Sequence, residues 1–132
     1  MDPLRVFLVE DSAVLRERLT EFLNALPGIQ IVGSTDTEQS AIGELSKLRC
    51  DVVVLDLQLR QGNGFNVLKA IRQAETPEHR TVLIVLTNYA FSLYRHRCIQ
   101  AGADFFLDKG REFERLTQVL SAVAEGRPVA QD

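Results

Sequence analysis

Apolar residues concentrate in five short runs, and longer segments of mixed character separate them. The runs cover residues 4–9, 29–34, 51–55, 81–86 and 104–107, and each has the length of a β-strand. Residues 52–55 and 82–86 are apolar at every position. Because only a strand covered on both faces hides every side chain, this pattern favours a parallel sheet with helices on each side.

The intervening segments carry apolar residues at helical spacing. In the first of them one face collects Leu15, Leu19, Phe22, Leu23 and Leu26. We expect Ser12 to cap this helix and the following Pro27-Gly28 pair to end it. Similar spacing predicts helices at 37–48, 64–73, 89–101 and 112–124. The pattern therefore predicts an α/β protein: a (βα)5 doubly wound, five-stranded parallel sheet of the flavodoxin-like kind, with a single domain at 1–126 and a polar tail or trimmed linker at 127–132.

Composition narrows the classes of function. With 132 residues, 45% hydrophobic and 25% charged, the chain suits one core. Its net charge of −3 provides no basic surplus, so we expect no direct binding of nucleic acid. The first apolar run is too short for a signal peptide or a membrane span, and we expect no membrane association. Cys50 and Cys98 lack metal-site spacing, which indicates buried thiols in a reduced, cytoplasmic protein.

Four of the five predicted strands end at side chains suited to phosphoryl chemistry. In a doubly wound sheet, ligands bind at the carboxyl ends of the strands. Those ends carry Glu10 and Asp11 (first), Asp56 (third), Thr87 (fourth), and Asp108 and Lys109 (fifth). We therefore expect acids, a hydroxyl and an ammonium to converge at one edge of the sheet.

This combination points to phosphoryl chemistry. Two carboxylates about 4 Å apart repel by roughly 4 kcal/mol at an effective dielectric near 20, so Glu10, Asp11 and Asp56 need positive charge beside them. Mg²⁺, which prefers oxygen ligands, and Lys109 would supply it. An aspartate can attack phosphorus to give an acyl phosphate when cations neutralise the transferred oxygens, and the Thr87 hydroxyl could then donate to one of them.

Four segments resemble the signatures of response-regulator receiver domains: Phe7-Leu8-Val9-Glu10-Asp11-Ser12, Val54-Leu55-Asp56-Leu57, Val85-Leu86-Thr87, and Ala101-Gly102-Ala103-Asp104-Phe105-Phe106-Leu107-Asp108-Lys109. The resemblance extends over residues 4–124. It implies a phosphorylation-dependent signalling switch of two-component systems that catalyses only its own phosphoryl acceptance and dephosphorylation. The donor would be a sensor histidine kinase or a phosphotransfer protein.

The resemblance also assigns roles to residues. It implies that Asp56 is the phosphoryl acceptor, with Thr87 and Lys109 as the accompanying hydroxyl and lysine. Glu10, Asp11, Asp56 and the backbone carbonyl of Gln58 would bind Mg²⁺, and Thr87 and Phe106 would form the switch pair.

The chain departs from the family pattern at four places. Arg60 and Gly110 stand where prolines are usual, Asn88 followed by Tyr89 replaces a small residue, and Phe106 lacks a hydroxyl. Glycines near Arg60 suggest a mobile loop, and without proline we expect a trans bond before Gly110 or backbone strain. These departures keep open an alternative, a degenerate receiver that serves as a phosphorylation-independent interaction module.

Two further hypotheses concern lifetime and partners. Gln58 and Tyr89 flank the expected path of a hydrolytic water and would set the lifetime of the phosphorylated state. Phe91, Arg95 and Phe106 are predicted to be partly exposed contacts for a downstream protein target or a missing output domain. A homodimer through the fourth and fifth helices is compatible with the pattern. A haloacid-dehalogenase-type phosphatase is not, because it needs a second aspartate at position 58.

Overall fold

The computed structural model describes residues 2–111 and 113–129. In this part of the chain, strands and helices alternate five times. The strands are β1 (Leu4–Val9), β2 (Ile29–Thr35), β3 (Val52–Leu55), β4 (Val82–Thr87) and β5 (Phe105–Asp108). The helices are α1 (Ala13–Asn24), α2 (Glu38–Leu45), α3 (Gly64–Gln73), α4 (Ser92–Gln100) and α5 (Phe113–Ala124).

The strands form one parallel sheet in the order β2-β1-β3-β4-β5, which confirms the predicted fold class. The chain runs outward from β1 to β2 and then returns past β1 to β3. Strand order thus reverses beside β1, and a crevice between the loops that follow β1 and β3 is where such sheets bind ligands.

Helices cover both faces of the sheet, as the doubly apolar strands predict. One core cluster joins Leu19, Leu23, Leu116 and Leu120, on α1 and α5, to alternate residues of the strands. A second cluster on the other face joins Val67 of α3 and neighbouring helix residues to the remaining strand residues. Neighbouring strand residues therefore pack into opposite clusters, one on each face of the sheet.

Element ends differ from the sequence prediction by a few residues. Ser12 caps α1 as predicted, and its side chain accepts a hydrogen bond from the Leu15 amide. The fourth helix begins at Ser92 instead of residue 89, because Phe91 has an extended backbone, with ψ of 146°. The predicted start of the fifth helix at residue 112 lies outside the described residues. Within the described residues, no helix is long and apolar enough to cross a membrane.

Candidate functional site

Backbone register brings the strand ends to one place. Val9 and Leu55 are neighbours on β1 and β3, and the Asp56 amide donates to the Val9 carbonyl at 2.8 Å. At the other side, the Lys109 amide donates to the carbonyl of Thr87 at 3.0 Å. These backbone contacts fix the side chains that follow β1, β3 and β5 along one edge, as the sequence predicts.

A lysine lies between two buried carboxylates at this edge. The Lys109 ammonium is 2.7 Å from Glu10 Oε1 and 2.9 Å from Asp56 Oδ2. The three side chains are 11%, 4% and 7% exposed. Burial by itself would lower the Lys109 pKa, but hydrogen bonds to Glu10 and Asp56 outweigh it and raise that pKa above its ordinary value. The ammonium is therefore charged at neutral pH.

The backbone around Asp56 is closely packed. A Cβ atom on Gly64, the first residue of α3, would lie 2.0 Å from the Asp56 carbonyl oxygen. The Gly64 amide also donates to the Leu57 carbonyl at 2.9 Å. Only glycine permits this approach, so the residue positions Asp56 and does not mark a loose segment.

The two acids that follow β1, Glu10 and Asp11, differ in their exposure to solvent. Glu10 is buried and its Oε2 accepts from the Ser12 amide at 2.9 Å, whereas Asp11 is exposed. Among the described residues, no three His, Cys, Asp or Glu side chains cluster closely enough to hold a metal ion. Glu10 and Asp56 both contact the Lys109 ammonium, so two of the three acids predicted to bind Mg²⁺ share one cation, and Asp11 stands apart from them at the surface.

Donor chemistry at this edge nevertheless suits Mg²⁺. The group formed by Glu10, Asp11, Asp56 and Lys109 carries a formal charge of −2, which a divalent cation matches. Mg²⁺ is commonly bound by one or two carboxylates with water completing its shell, so it does not require all three acids. Asp11, Asp56 and the Gln58 carbonyl offer oxygen atoms of the preferred kind.

The predicted switch residues are both buried. Thr87 is fully buried, and its Oγ1 accepts from the Tyr89 amide at 3.1 Å. Phe106 is 2% exposed and packs into the core cluster that contains Val85 and Cys98. The prediction that Phe106 is a partly exposed contact is therefore wrong, because β5 is covered on both faces.

The other predicted contacts lie on or beside α4. Phe91 is 62% exposed, in agreement with the prediction. Arg95 is half-buried, and its Nη1 donates to the Phe106 carbonyl at 3.3 Å. Arg95 thus joins α4 to the backbone of β5 at the position of the predicted switch residue.

The loop between β3 and α3 is hydrogen-bonded to the loop after β2. Arg60 donates from its amide and from Nε to the carbonyl and carboxylate of Asp36, at 3.0 Å and 2.8 Å. That side-chain hydrogen bond lowers the pKa of Asp36 and raises that of Arg60. Glu38 Oε1 accepts from the Asn63 amide and from Asn66 Nδ2, both at 3.1 Å. The sequence suggested a mobile loop here, whereas in the structure hydrogen bonds join Arg60 to Asp36 and Asn63 to Glu38.

Sequence reasoning missed Asp36 and Glu38. They lie 24 and 25 residues from their partners Arg60 and Asn63, and no local pattern signals such a contact.

The peptide bond before Gly110 is trans, as expected, since every described peptide bond is trans.

Comparison with known proteins agrees with this fold. The model of the family described as "response regulator receiver domain" matches residues 6–121. The chain is 29% identical over 126 residues to the Fimbriae Z protein of Salmonella typhimurium, covering 96% of this chain and 59% of that protein. It is 34% identical over 116 residues to a protein-glutamate methylesterase/protein-glutamine glutaminase of Rhodospirillum centenum, covering 88% and 29%.

A solved structure agrees in fold. The LuxR-family two-component response regulator of Aurantimonas sp. SI85-9A1 superposes with a TM-score of 0.85 at 24% identity, covering 98% of this chain and 91% of that one. The chain spans less than two thirds of the length of both curated relatives. Because the family model covers nearly the whole chain, this protein belongs to the response regulator receiver domain family.

Proposed function

We propose that this chain is a phosphorylation-dependent signalling switch in which Asp56 accepts a phosphoryl group from the phosphohistidine of a sensor histidine kinase or phosphotransfer protein. The observation that carries the proposal is the Lys109 ammonium held 2.9 Å from Asp56 Oδ2 in a site where both side chains are nearly buried. A fixed cation beside a buried carboxylate is the arrangement needed to stabilise charge on transferred phosphoryl oxygens.

The reaction is a displacement at phosphorus. A carboxylate oxygen of Asp56 forms the new O–P bond as the N–P bond to the donor imidazole breaks, and the imidazole takes the released electron pair and then a proton. Lys109 neutralises phosphoryl oxygens during transfer. As Lys109 turns to the phosphoryl oxygens, its contacts with Glu10 and Asp56 rearrange. The hydrogen bond from the Ser12 amide to Glu10 Oε2 holds the Glu10 carboxylate in place.

We further propose that Asp11, Asp56 and the Gln58 carbonyl bind Mg²⁺, while Glu10 stays paired with Lys109. When bound, the ion supplies positive charge that offsets the repulsion between the acids and the incoming phosphoryl group. The formal charge of −2 at the edge supports this assignment. Asp11, which is exposed, provides the access that an entering hydrated ion requires.

Signal transmission is proposed to start at Thr87. Its hydroxyl oxygen accepts a hydrogen bond from the Tyr89 amide, while its own proton is available to a phosphoryl oxygen on Asp56. Phe106 already lies inward in the core, beside β4. Movement of Thr87 would therefore act on α4 through two routes, the Tyr89 backbone and the Arg95 bond to the Phe106 carbonyl.

Phosphoryl uptake tests the proposal directly. The chain is incubated with Mg²⁺ and acetyl phosphate, and intact-protein mass spectrometry measures addition of one phosphoryl group. We expect uptake by the wild type and none by Asp56→Ala or Asp56→Asn, each checked for folding by circular dichroism. Absence of uptake in the folded wild type, together with failure to bind beryllofluoride, would instead favour the degenerate interaction module.

A further inference from the structure

A cleft of about 520 Å³ separates α3 from α4 and opens beside the loop that follows Asp56. The residues that shape its chemistry are Phe65, Asn66, Lys69, Tyr89, Tyr94 and Arg97. Among the described residues that line the cleft, two are cationic and none is acidic. The chain as a whole carries a net charge of −3, so this local surplus of two positive charges runs against the overall charge.

Both cations lie over one aromatic ring. Lys69 Nζ is 5.8 Å and Arg97 Cζ 5.4 Å from the centroid of the Phe65 ring, within cation–π distance. The ring is half-buried and packs against the core, so it provides a fixed support for the two side chains. Holding flexible cations in this way reduces the entropy that they lose when they bind an anion.

Exposed rings continue beyond the cleft along α4. Tyr94 lines the cleft and contacts Phe91, with ring centroids 5.9 Å apart. The exposed fractions are 41% for Tyr94, 62% for Phe91 and 39% for Tyr89. Large apolar side chains left exposed beside a concave pocket are typical of a protein interface, in which a partner side chain fills the pocket.

We propose that the α3–α4 cleft binds an acidic segment of a partner protein, which inserts an aromatic side chain between Phe65 and Tyr94 and pairs its carboxylates with Lys69 and Arg97. The charge of the lining selects an acidic partner. The exposed surface at Phe91, outside the cleft, selects a peptide over a small molecule, because a ligand confined to the cleft would leave that ring in water.

This partner surface lies at the α3–α4 cleft and does not use Arg95 or Phe106, which the sequence had predicted as contacts. Arg95, expected to contact a partner, instead donates to the Phe106 carbonyl, whereas Arg97 lies over Phe65 at the cleft. The proposed surface uses neither Asp56 nor Lys109. It is therefore tested without Mg²⁺ or a phosphodonor, and its failure is distinct from failure of the phosphoryl chemistry.

The probe is an acetylated and amidated pentapeptide of four glutamates around a central tryptophan. It is titrated into the ¹⁵N-labelled chain, and amide chemical shifts give both the location and the affinity. We expect saturable shifts confined to α3, α4 and the Tyr89 region. Matched peptides, with alanine in place of the tryptophan or glutamines in place of the glutamates, should each bind more weakly.

Variants test the two cations. Lys69→Gln and Arg97→Gln should each weaken binding about threefold, the effect of losing one solvent-accessible ion pair. Lys47→Gln, which removes an exposed positive charge from the α2 side, should leave the affinity unchanged.

Four results would overturn the proposal. These are absence of saturable shifts at millimolar peptide, shifts centred on another face, equal affinity in the Lys69 and Arg97 variants, or equal affinity of the glutamine peptide. Titration with 2-naphthoate adds a fifth. Binding of that small anion at least as tight as that of the peptide would assign the cleft to a small molecule.

Discussion

At the residue scale, Lys109 places a single ammonium between Glu10 and Asp56, whose side chains are 4% and 7% exposed. Removing one partner of a buried ion pair is more costly than the pair is favourable, because the remaining charges lose both water and partner. We therefore expect the stability of the site to depend on Lys109, in addition to the role in phosphoryl transfer that we propose for this residue.

Lys109→Gln should lower the free energy of unfolding by about 3 kcal/mol in Mg²⁺-free buffer, since two buried carboxylates then lack their cation. Urea denaturation followed by circular dichroism measures this loss. Lys47→Gln serves as the control, because Lys47 is exposed and should shift the midpoint little. An unchanged midpoint for Lys109→Gln would show that water already solvates these carboxylates.

The Tyr89 amide donates to Thr87, and its side chain is 39% exposed beside Gln58, in the loop after Asp56. Tyr89→Ala keeps the amide but removes the ring, so we expect a hydrolytic water to reach phosphorylated Asp56 more easily. Dephosphorylation should accelerate roughly three- to tenfold, or up to about 1.4 kcal/mol in the barrier. Tyr94→Ala, the chain's other tyrosine, should leave the rate unaltered, and equal rates in all three proteins would contradict the hypothesis.

Two buried thiols should make the free energy of unfolding depend on pH in the alkaline range. Burial raises the pKa of Cys50 and of Cys98 from 9.0 to about 11. In the unfolded chain the thiols ionise near 9, so folding stability from their neutral form is complete below pH 9 and is lost as pH rises towards 11. We expect a loss of about 2 kcal/mol for each thiol by pH 11. Urea midpoints from pH 8 to 11 should fall less steeply for Cys50→Ala/Cys98→Ala, and parallel curves would refute this origin.

At the element scale, the structure explains how the loop after β3 holds its shape without the usual proline. Arg60 and Gln61 take part in backbone hydrogen bonds with Asp36 and Glu38, so the loop after β2 supports the loop after Asp56. A left-handed turn at Gly62, with φ of 79°, brings the chain back against Glu38. Side-chain and backbone hydrogen bonds thus replace the restriction that a proline ring would impose on φ.

Glu38→Ala removes the carboxylate that accepts from Asn63 and Asn66 and should destabilise the chain by roughly 1–2 kcal/mol. The more specific expectation is faster hydrogen exchange at the amides of residues 58–64, together with weaker Mg²⁺ binding by calorimetry. Glu44→Ala is the matched control, because Glu44 is an exposed acid on the same helix. Exchange that is as slow in Glu38→Ala as in the control would show that backbone contacts alone hold the loop.

At the scale of the whole molecule, a second charge network lies near the opposite edge of the sheet. Arg72 on α3 donates to the carbonyls of Thr81 and Gly102 and to Asp104 Oδ2, at 2.7–3.0 Å. Asp104 Oδ2 also accepts from the Leu83 amide. Arg72 therefore joins α3 to the starts of β4 and β5, whereas Asp56 lies at the opposite edge, where the strands end.

Arg72→Ala should lower the free energy of unfolding by about 3 kcal/mol, since it leaves buried acceptors without donors. Arg80→Ala removes a more exposed partner of Asp104 and should cost under about 1 kcal/mol. Thermal unfolding measures both changes. Below the melting temperature, phosphoryl uptake by Arg72→Ala should match the wild type, and a selective loss of uptake would show that the two edges are coupled.

Local pattern predicts the layers and the strand ends, because periodicity and parallel topology together determine which residues reach one edge. Asp56 and Lys109 could therefore be placed side by side from sequence. The burial of Phe106 was missed although the pattern indicates it, because Phe105, Phe106 and Leu107 are consecutive apolar residues like those of the two central strands, and all three are buried. The pairing of Glu10 with Lys109 also escaped prediction, since which carboxylate an ammonium contacts depends on side-chain rotamers.

Reduction by borohydride can locate the phosphoryl group and so test whether Asp56 is the acceptor. After incubation with Mg²⁺ and acetyl phosphate, the protein is treated with borohydride, which reduces an acyl phosphate to an alcohol, and is then digested for peptide mass spectrometry. We expect homoserine at position 56 in the treated wild type and aspartate there in the unphosphorylated control. Homoserine at Asp11 instead, or unmodified aspartate at position 56 in protein that has gained a phosphoryl group, would contradict it.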